Sequence, residues 1–169
     1  MTDPDRAASF TRWASERQQA LLRTAVLLCG DHHRAEDLVQ DALTKVAVRW
    51  TRLHDQHPDA YARQVIVRTN ISWWRRHRRE VVLDVRDGSS TEGPDVAVDR
   101  RLLLDHALAQ LTPRQRATVV LRFYDDLSER DTAEALGVSI GTVKSQTHAA
   151  LARLRAAAPE LAELLEDAT

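Results

Sequence analysis

Between Ser128 and Arg155 the chain reads SERDTAEALGVSIGTVKSQTHAALARLR, and the punctuation of that stretch leaves few folds open. Ser128 and Ser139 can each cap a helix, Gly137 suits the left-handed residue that ends one, and small Ala133 lets two helices cross closely. Ala133 and Leu136 can face Val138, Val143, Thr147, Ala150, Leu151 and Leu154 across the turn. A short helix, a glycine turn and a longer helix follow, which is helix-turn-helix spacing. In such a unit the second helix enters the major groove by its N-terminal residues. The outward side chains here are Thr142, Lys144, Ser145, Gln146, His148 and, further on, Arg153. Lys144 and Gln146 can pair with guanine and adenine edges, Thr142 and Ser145 with base or phosphate, and Arg153 with the backbone. The bland alternative, a helical hairpin with a solvated face, leaves the caps, the turn and the polar first turns unconnected.

The rest of the chain keeps a helical period. Thr112-Pro113-Arg114-Gln115 combines a cap, a proline at the first helical position and a capping-box glutamine, so a helix starts there and runs to about Tyr124. Another precedes it from about Asp99 to Leu111. In the first half Phe10, Trp13, Ala14, Leu21, Leu22, Ala25 and Leu28 mark a helix that Gly30 and Asp31 end and restart. Arg34 to Trp50 puts Ala35, Leu38, Val39, Ala42, Leu43, Val46 and Trp50 on one stripe. Thr51 to Pro58 is polar and reads as a loop, and a third helix is expected from Asp59 to Arg79. Glu80 to Val98 gathers Gly, Ser, Thr, Pro and acids, the composition of a flexible linker. With only 5 Gly and 5 Pro, the expected fold class is all-α: two small helical domains, residues 1–79 and 101–158, joined by an acidic linker over 80–100 and followed by an acidic tail, 159–169.

The net charge of −1 conceals segregation. Residues 1–79 carry 14 basic against 9 acidic side chains and residues 101–158 carry 8 against 6, whereas 80–100 carry 2 against 6 and the last eleven 0 against 4. Basic domains with acidic connections point to a polyanionic partner. The helix DAYARQVIVRTNISWWRRHRR sharpens this, because arginines interleaved with Trp73 and Trp74 supply cations for phosphate and rings for unstacked bases. Trp73 falls on the buried stripe, Trp74 about 100° around it. On the preceding helix Glu36, Asp37, Gln40 and Asp41 project away from the apolar stripe. Asp37 and Asp41 are a like-charge i, i+4 pair that a basic partner would relieve.

Other function classes find no support. The apolar runs fall short of the ~20 residues that span a bilayer, and the basic-then-apolar pattern of a signal peptide is missing, so a cytoplasmic protein without membrane attachment is expected. Cys29 alone forms no internal disulfide. No histidine pair has a third ligand, and no phosphate loop or nucleophile signature occurs, so neither enzyme activity, metal nor cofactor is expected.

Taken together, GDHHRAEDLVQDALTKVAVRW, DAYARQVIVRTNISWWRRHRR and LTPRQRATVVLRFYDDLSERDTAEALGVSIGTVKSQTHAALARLR resemble, in that order, regions 2.1 to 2.2, 2.3 to 2.4 and 4 of the extracytoplasmic-function (ECF, group IV) sigma factors, in particular the small actinobacterial sigma-E-like type. The resemblance covers about Phe10 to Arg155. It implies an initiation factor, monomeric when free, that binds core RNA polymerase through its β′ clamp helices and β flap, recognises a minus-35 and a minus-10 promoter element, and helps open the duplex. It places Glu36, Asp37, Gln40 and Asp41 on the clamp helices and Asn70, Ser72, Trp74, Arg75, Arg76 and Arg79 in the stretch that reads the minus-10 element. Thr51 to Pro58 would capture a flipped base. Lys144, Ser145 and His148 would face the minus-35 element, and the acidic linker would thread the polymerase cleft until RNA displaces it. An anti-sigma factor is an implied regulator.

Some residues depart from that pattern. Ala149 stands where many members have Arg, and Arg68 where they often have Asn. Tyr61 occupies the upstream melting position. A second reading, a dimeric LuxR-type helix-turn-helix regulator binding duplex operators, rests on the resemblance of the 111–148 segment to response-regulator output domains. It leaves the first half unexplained.

Overall fold

The computed structural model describes the backbone of residues 3–81 and 96–159 and the side chains of 5–77 and 102–159. Among the described residues there is no strand. Helix α1 (Asp3–Cys29) ends at Gly30, whose φ of +75° a side chain would resist. Asp31 then caps α2 (His32–Val48) by accepting from Arg34 N at 2.6 Å. The stripe expected on α2 is its buried face: Ala35, Leu38, Val39, Ala42 and Val46 pack inward. Thr51 to Pro58 is less of a loop than expected, because a helical turn, α3 (Trp50–Leu53), forms first. Trp50, 4% exposed, holds that turn by burying its ring edge-on to Phe10 and donating Nε1–H to Ser9 Oγ at 2.7 Å. Helix α4 (Pro58–Val81) completes a bundle with α1 and α2.

The second half opens with α5 (Val96–Ala109), which starts three residues before the expected Asp99. The Thr112 capping box is present in both directions, Gln115 N to Thr112 Oγ1 and Thr112 N to Gln115 Oε1, and starts α6 (Pro113–Val119). This helix does not continue regularly to Tyr124: Val120–Tyr124 widens into a π turn, closed by Asp125 N to Val120 O at 3.0 Å. Asp126 follows at φ +52°, a conformation Asp tolerates. Helix α7 (Glu129–Leu136), capped by Ser128 and ended by Gly137 at φ +67°, and α8 (Ile140–Ala157), capped by Ser139, form the expected helix-turn-helix. Val143, Ala150 and Leu154 bury one face of α8. The expected linker falls mostly, and the tail after residue 159 wholly, outside the described residues.

Each half has buried apolar residues of its own, and the two halves also pack together. Ala107, Leu108, Leu111, Val119, Ala150, Leu154 and Ala158 form a core of the second half. But Ala117, Val120, Leu121 and Ala135 of that half join the large cluster of α1, α2 and α4 around Leu28, Val46 and Ile66. The π turn contributes by aiming Asp125 at the first half. Thr24 Oγ1 donates to its Oδ1 at 2.7 Å, and Arg63 Nε lies 3.3 Å from its Oδ2. Burial drives this carboxyl's pKa up, while Thr24 and Arg63 pull it partly back.

Candidate nucleic-acid interface

Helix α8 presents the expected reading face unevenly. Lys144, Ser145, His148 and Arg153 are exposed. Lys144 Nζ rests 3.6 Å from Glu129 on α7, and Arg153 leans back to Gln110 O at 3.3 Å. Both are solvent-facing contacts that a phosphate or base edge can replace. Thr142 is half-buried and its hydroxyl sits 2.9 Å from the Ser139 cap, so its side chain is committed to the helix start instead of being held out to DNA. Gln146 is half-buried too, in a narrow cleft with Ile71 of α4 and Val138. One residue that the outward face read from the sequence does not include is Ile140, the first residue of α8 and an exposed apolar side chain at 44%.

At the far end of α4, Arg75 and Arg76 are exposed, Ser72 and Trp74 half-buried, and the Arg79 side chain lies outside the described residues. Asn70 departs from expectation. It is fully buried, donates to Leu28 O at 3.2 Å and accepts from Arg34 Nη2 at 2.6 Å, so it ties helices together and offers no edge to DNA here. The guanidinium that Asn70 fixes lies 3.5 Å over the Trp73 ring, and His77 stacks on Trp73 at 4.3 Å and 17°. Trp73 is thus held by Arg34 and His77, and Trp74, edge-on to it at 5.2 Å, also lies beneath the Arg34 guanidinium at 5.5 Å. Periodicity assigns Trp73 to the packed side; nothing in sequence spacing pairs Arg34 with it.

On α2 Glu36, Asp37 and Gln40 are exposed, whereas Asp41 is half-buried, 2.7 Å from Lys45 Nζ. Lys45 thus relieves the like-charge strain expected of Asp37 and Asp41. Four apart along the same row, Glu36, Gln40, Thr44 and Val48 are all exposed, Val48 at 79%. That valine extends the acidic face with an apolar end.

The Thr51–Pro58 segment borders a cleft of about 590 Å3, where Leu53, Gln56 and His57 face Leu127, Asp131 and Glu134 of the second half. Among the described residues no group of three or more His, Cys, Asp or Glu could hold a metal, and no helix is long and apolar enough to cross a membrane.

Comparison with known proteins returns the same two halves. Residues 14–80 match the family model of sigma-70 region 2, and residues 101–154 that of sigma-70 region 4. Over 149 residues the chain is 44% identical to the RNA polymerase sigma-E factor of Streptomyces avermitilis, covering 86% of this chain and 83% of that one. It is 31% identical to the ECF RNA polymerase sigma factor SigL of Mycobacterium tuberculosis, with 92% of each covered. Among solved structures, the sigma factor RpoE of Bartonella quintana, crystallised with the anti-sigma factor NepR, superposes with a TM-score of 0.71 at 28% identity, over 89% of this chain and 97% of that one. The first half matches sigma-70 region 2, so the LuxR-type reading is dropped.

Proposed function

The chain belongs to the sigma-70 family as an ECF sigma factor, directing RNA polymerase to promoters and assisting their opening, and from that premise we propose how its surfaces divide the work. Glu36, Asp37 and Gln40 dock on the basic clamp helices of core polymerase, with Val48 as the apolar end of the same row and Asp41 as a partner-strengthened edge. Arg75, Arg76, Trp74 and Ser72 engage the minus-10 element, cations on phosphate and the half-buried Trp74 ring on an unstacked base. Lys144, Ser145 and His148 read the minus-35 element in the major groove, with Ile140 alongside. Residues 1–79 and 101–158 act as the two binding regions, the second also meeting the β flap, and the linker over 80–100 runs through the polymerase between them. The protein works in the cytoplasm without catalysing a reaction, since polymerase supplies the chemistry. It is monomeric when free and is bound by an anti-sigma factor, as RpoE is in its co-crystal with NepR.

One observation carries the division. Arg34 leaves α2 within a turn of Glu36 and Asp37 and is clamped by Asn70 and Trp73 of α4. The docking face and the arginine end of α4 are thereby one rigid body, so seating the acids on polymerase orients the DNA-reading end. The test is Lys144→Glu. It should abolish promoter-specific transcription while leaving polymerase affinity within about twofold, because charge reversal on α8 touches neither α2 nor its lock. Loss of polymerase binding in this variant would overturn the division of roles.

A further inference from the structure

We propose that the N-terminal half of α1 is a positioning strap for the Thr51–Pro58 segment: Ser9, Trp13 and Arg17 set the shape of that segment, and through it which unstacked base of the minus-10 strand it accepts. The strap stands on its contacts alone; its consequence for base choice rests on the promoter role proposed above.

Arg6, Ser9, Phe10, Trp13 and Arg17 fall on one face of α1 by their spacing. That face holds the segment at both ends. At the start, Trp50 donates Nε1–H to Ser9 Oγ at 2.7 Å, packs edge-on to Phe10 at 5.5 Å and lies 5.4 Å from the Trp13 ring. Arg6 Nη1 adds a bond to Thr51 Oγ1 at 3.4 Å. At the end, Arg17 Nε lies 3.2 Å from Asp59 Oδ1. Ser9 suits its place because it accepts from Trp50 while its own hydroxyl donates to Arg6 O at 3.2 Å. Trp50 passes the hold onward: its carbonyl accepts from His54 N at 2.9 Å, and the His54 ring Nδ1 rests 3.0 Å from the same oxygen. Arg6, Ser9, Phe10 and Trp13 all precede residue 14, so the tie at the start of the segment is made by residues outside the region 2 match.

A segment fixed at both ends and bare at its tip is preformed for a ligand. Between the two ties Asp55, Gln56 and His57 are exposed. Gln56 and His57 line the cleft of about 590 Å3 together with Tyr61, whose half-buried ring has the Arg49 guanidinium 5.5 Å above it. An amide offers donors and an acceptor in one plane, an imidazole offers ring nitrogens, and a phenol ring offers a face. Such groups read the edge of a base held outside the stack. Holding them in place before the base arrives removes the ordering entropy from capture and favours one base shape over the others. Loosened at either end, the tip samples several shapes and takes a base with less preference among the four. The strap therefore acts on choice more than on binding.

The experiment uses holoenzyme on a promoter fragment that yields a run-off transcript, premelted over the minus-10 element and carrying each of the four bases in turn at each non-template position. The half-life of the open complex is the readout. Ser9→Ala removes the Trp50 acceptor, and Arg17→Gln removes the tie to Asp59 at an exposed side chain, so neither opens a large cavity. Wild-type holoenzyme should prefer one base about tenfold at one position, the one whose preference is lost in the double variant Gln56→Ala, His57→Ala. Ser9→Ala and Arg17→Gln should each cut that preference to about threefold or less, with polymerase affinity, melting temperature and the preferences at other positions near wild type. Ser9→Thr, which keeps the hydroxyl, should restore it. A preference retained in both variants would overturn the strap and leave base capture in place. Half-lives that fall equally for all four bases would also overturn it, because lost packing alone does that. A wild type without preference at any position would reject base capture by this segment, and the strap with it, while leaving polymerase docking untouched.

Discussion

Two buried polar atoms set the clearest residue-scale expectations. Thr132 is fully buried and its Oγ1 has no hydrogen-bond partner among the described residues. An unpaired buried hydroxyl costs about 1–3 kcal/mol, so Thr132→Val, equal in shape and β-branching, should stabilise the fold by roughly 1 kcal/mol in chemical denaturation. A loss of stability would mean that the hydroxyl has a partner. Asp125 gives a pH test. Its folded pKa lies above the ordinary 3.8, so the folded state binds that proton more tightly than the unfolded chain does. Stability from this group is fully present below 3.8 and is lost as pH rises through the folded value. The melting temperature of the wild type, taken relative to Asp125→Asn, should fall with pH in the window just above 3.8, and a flat difference would contradict the shift. Sequence alone signals neither residue. Thr132 sits on a short helix like any other threonine, and Asp125 is buried only because the π turn aims it inward.

At the scale of elements, the sequence was most informative where caps and stripes decide local structure. Ser128, Gly137, Ser139 and the Thr112 box all sit where their chemistry places them, and the α2 stripe is buried except for Leu43, which is half-buried at its edge. It was least informative where a tertiary contact decides: α3 forms because Trp50 packs on Phe10, and Asn70 turns inward to hold Arg34. The docking row on α2 yields a prediction of its own. Asp37 is exposed and away from the core, so Asp37→Arg should weaken polymerase binding about tenfold, near 1.4 kcal/mol, without changing thermal stability. Val48→Asp should do the same if the apolar end of the row is seated on polymerase. Fluorescence anisotropy titration against core enzyme reads both, and unchanged affinities would return the row to a solvated helix face. Asp41 is a poorer probe, because its pair with Lys45 mixes stability into the result.

For the whole molecule, the all-α class and the order of its two halves were readable from periodicity and charge, while their packing against each other was not. Ala117, Leu121 and Ala135 look like any apolar helix positions, and Arg68 stands out in sequence only as a departure from the resemblance. Three-dimensional placement turns the first three into a shared core and sets Arg68 against the carbonyl of Glu134. On the division of surfaces proposed above, DNA recognition by such a molecule depends on polymerase to bring the arginine end and the reading helix to their separate promoter elements. The most direct test is size-exclusion chromatography of the purified chain with and without bacterial core RNA polymerase, each fraction assayed for run-off transcription on genomic promoter fragments. One-to-one co-elution with promoter-dependent transcripts is the predicted result. A dimer that ignores polymerase and shifts duplex DNA unaided would contradict the account.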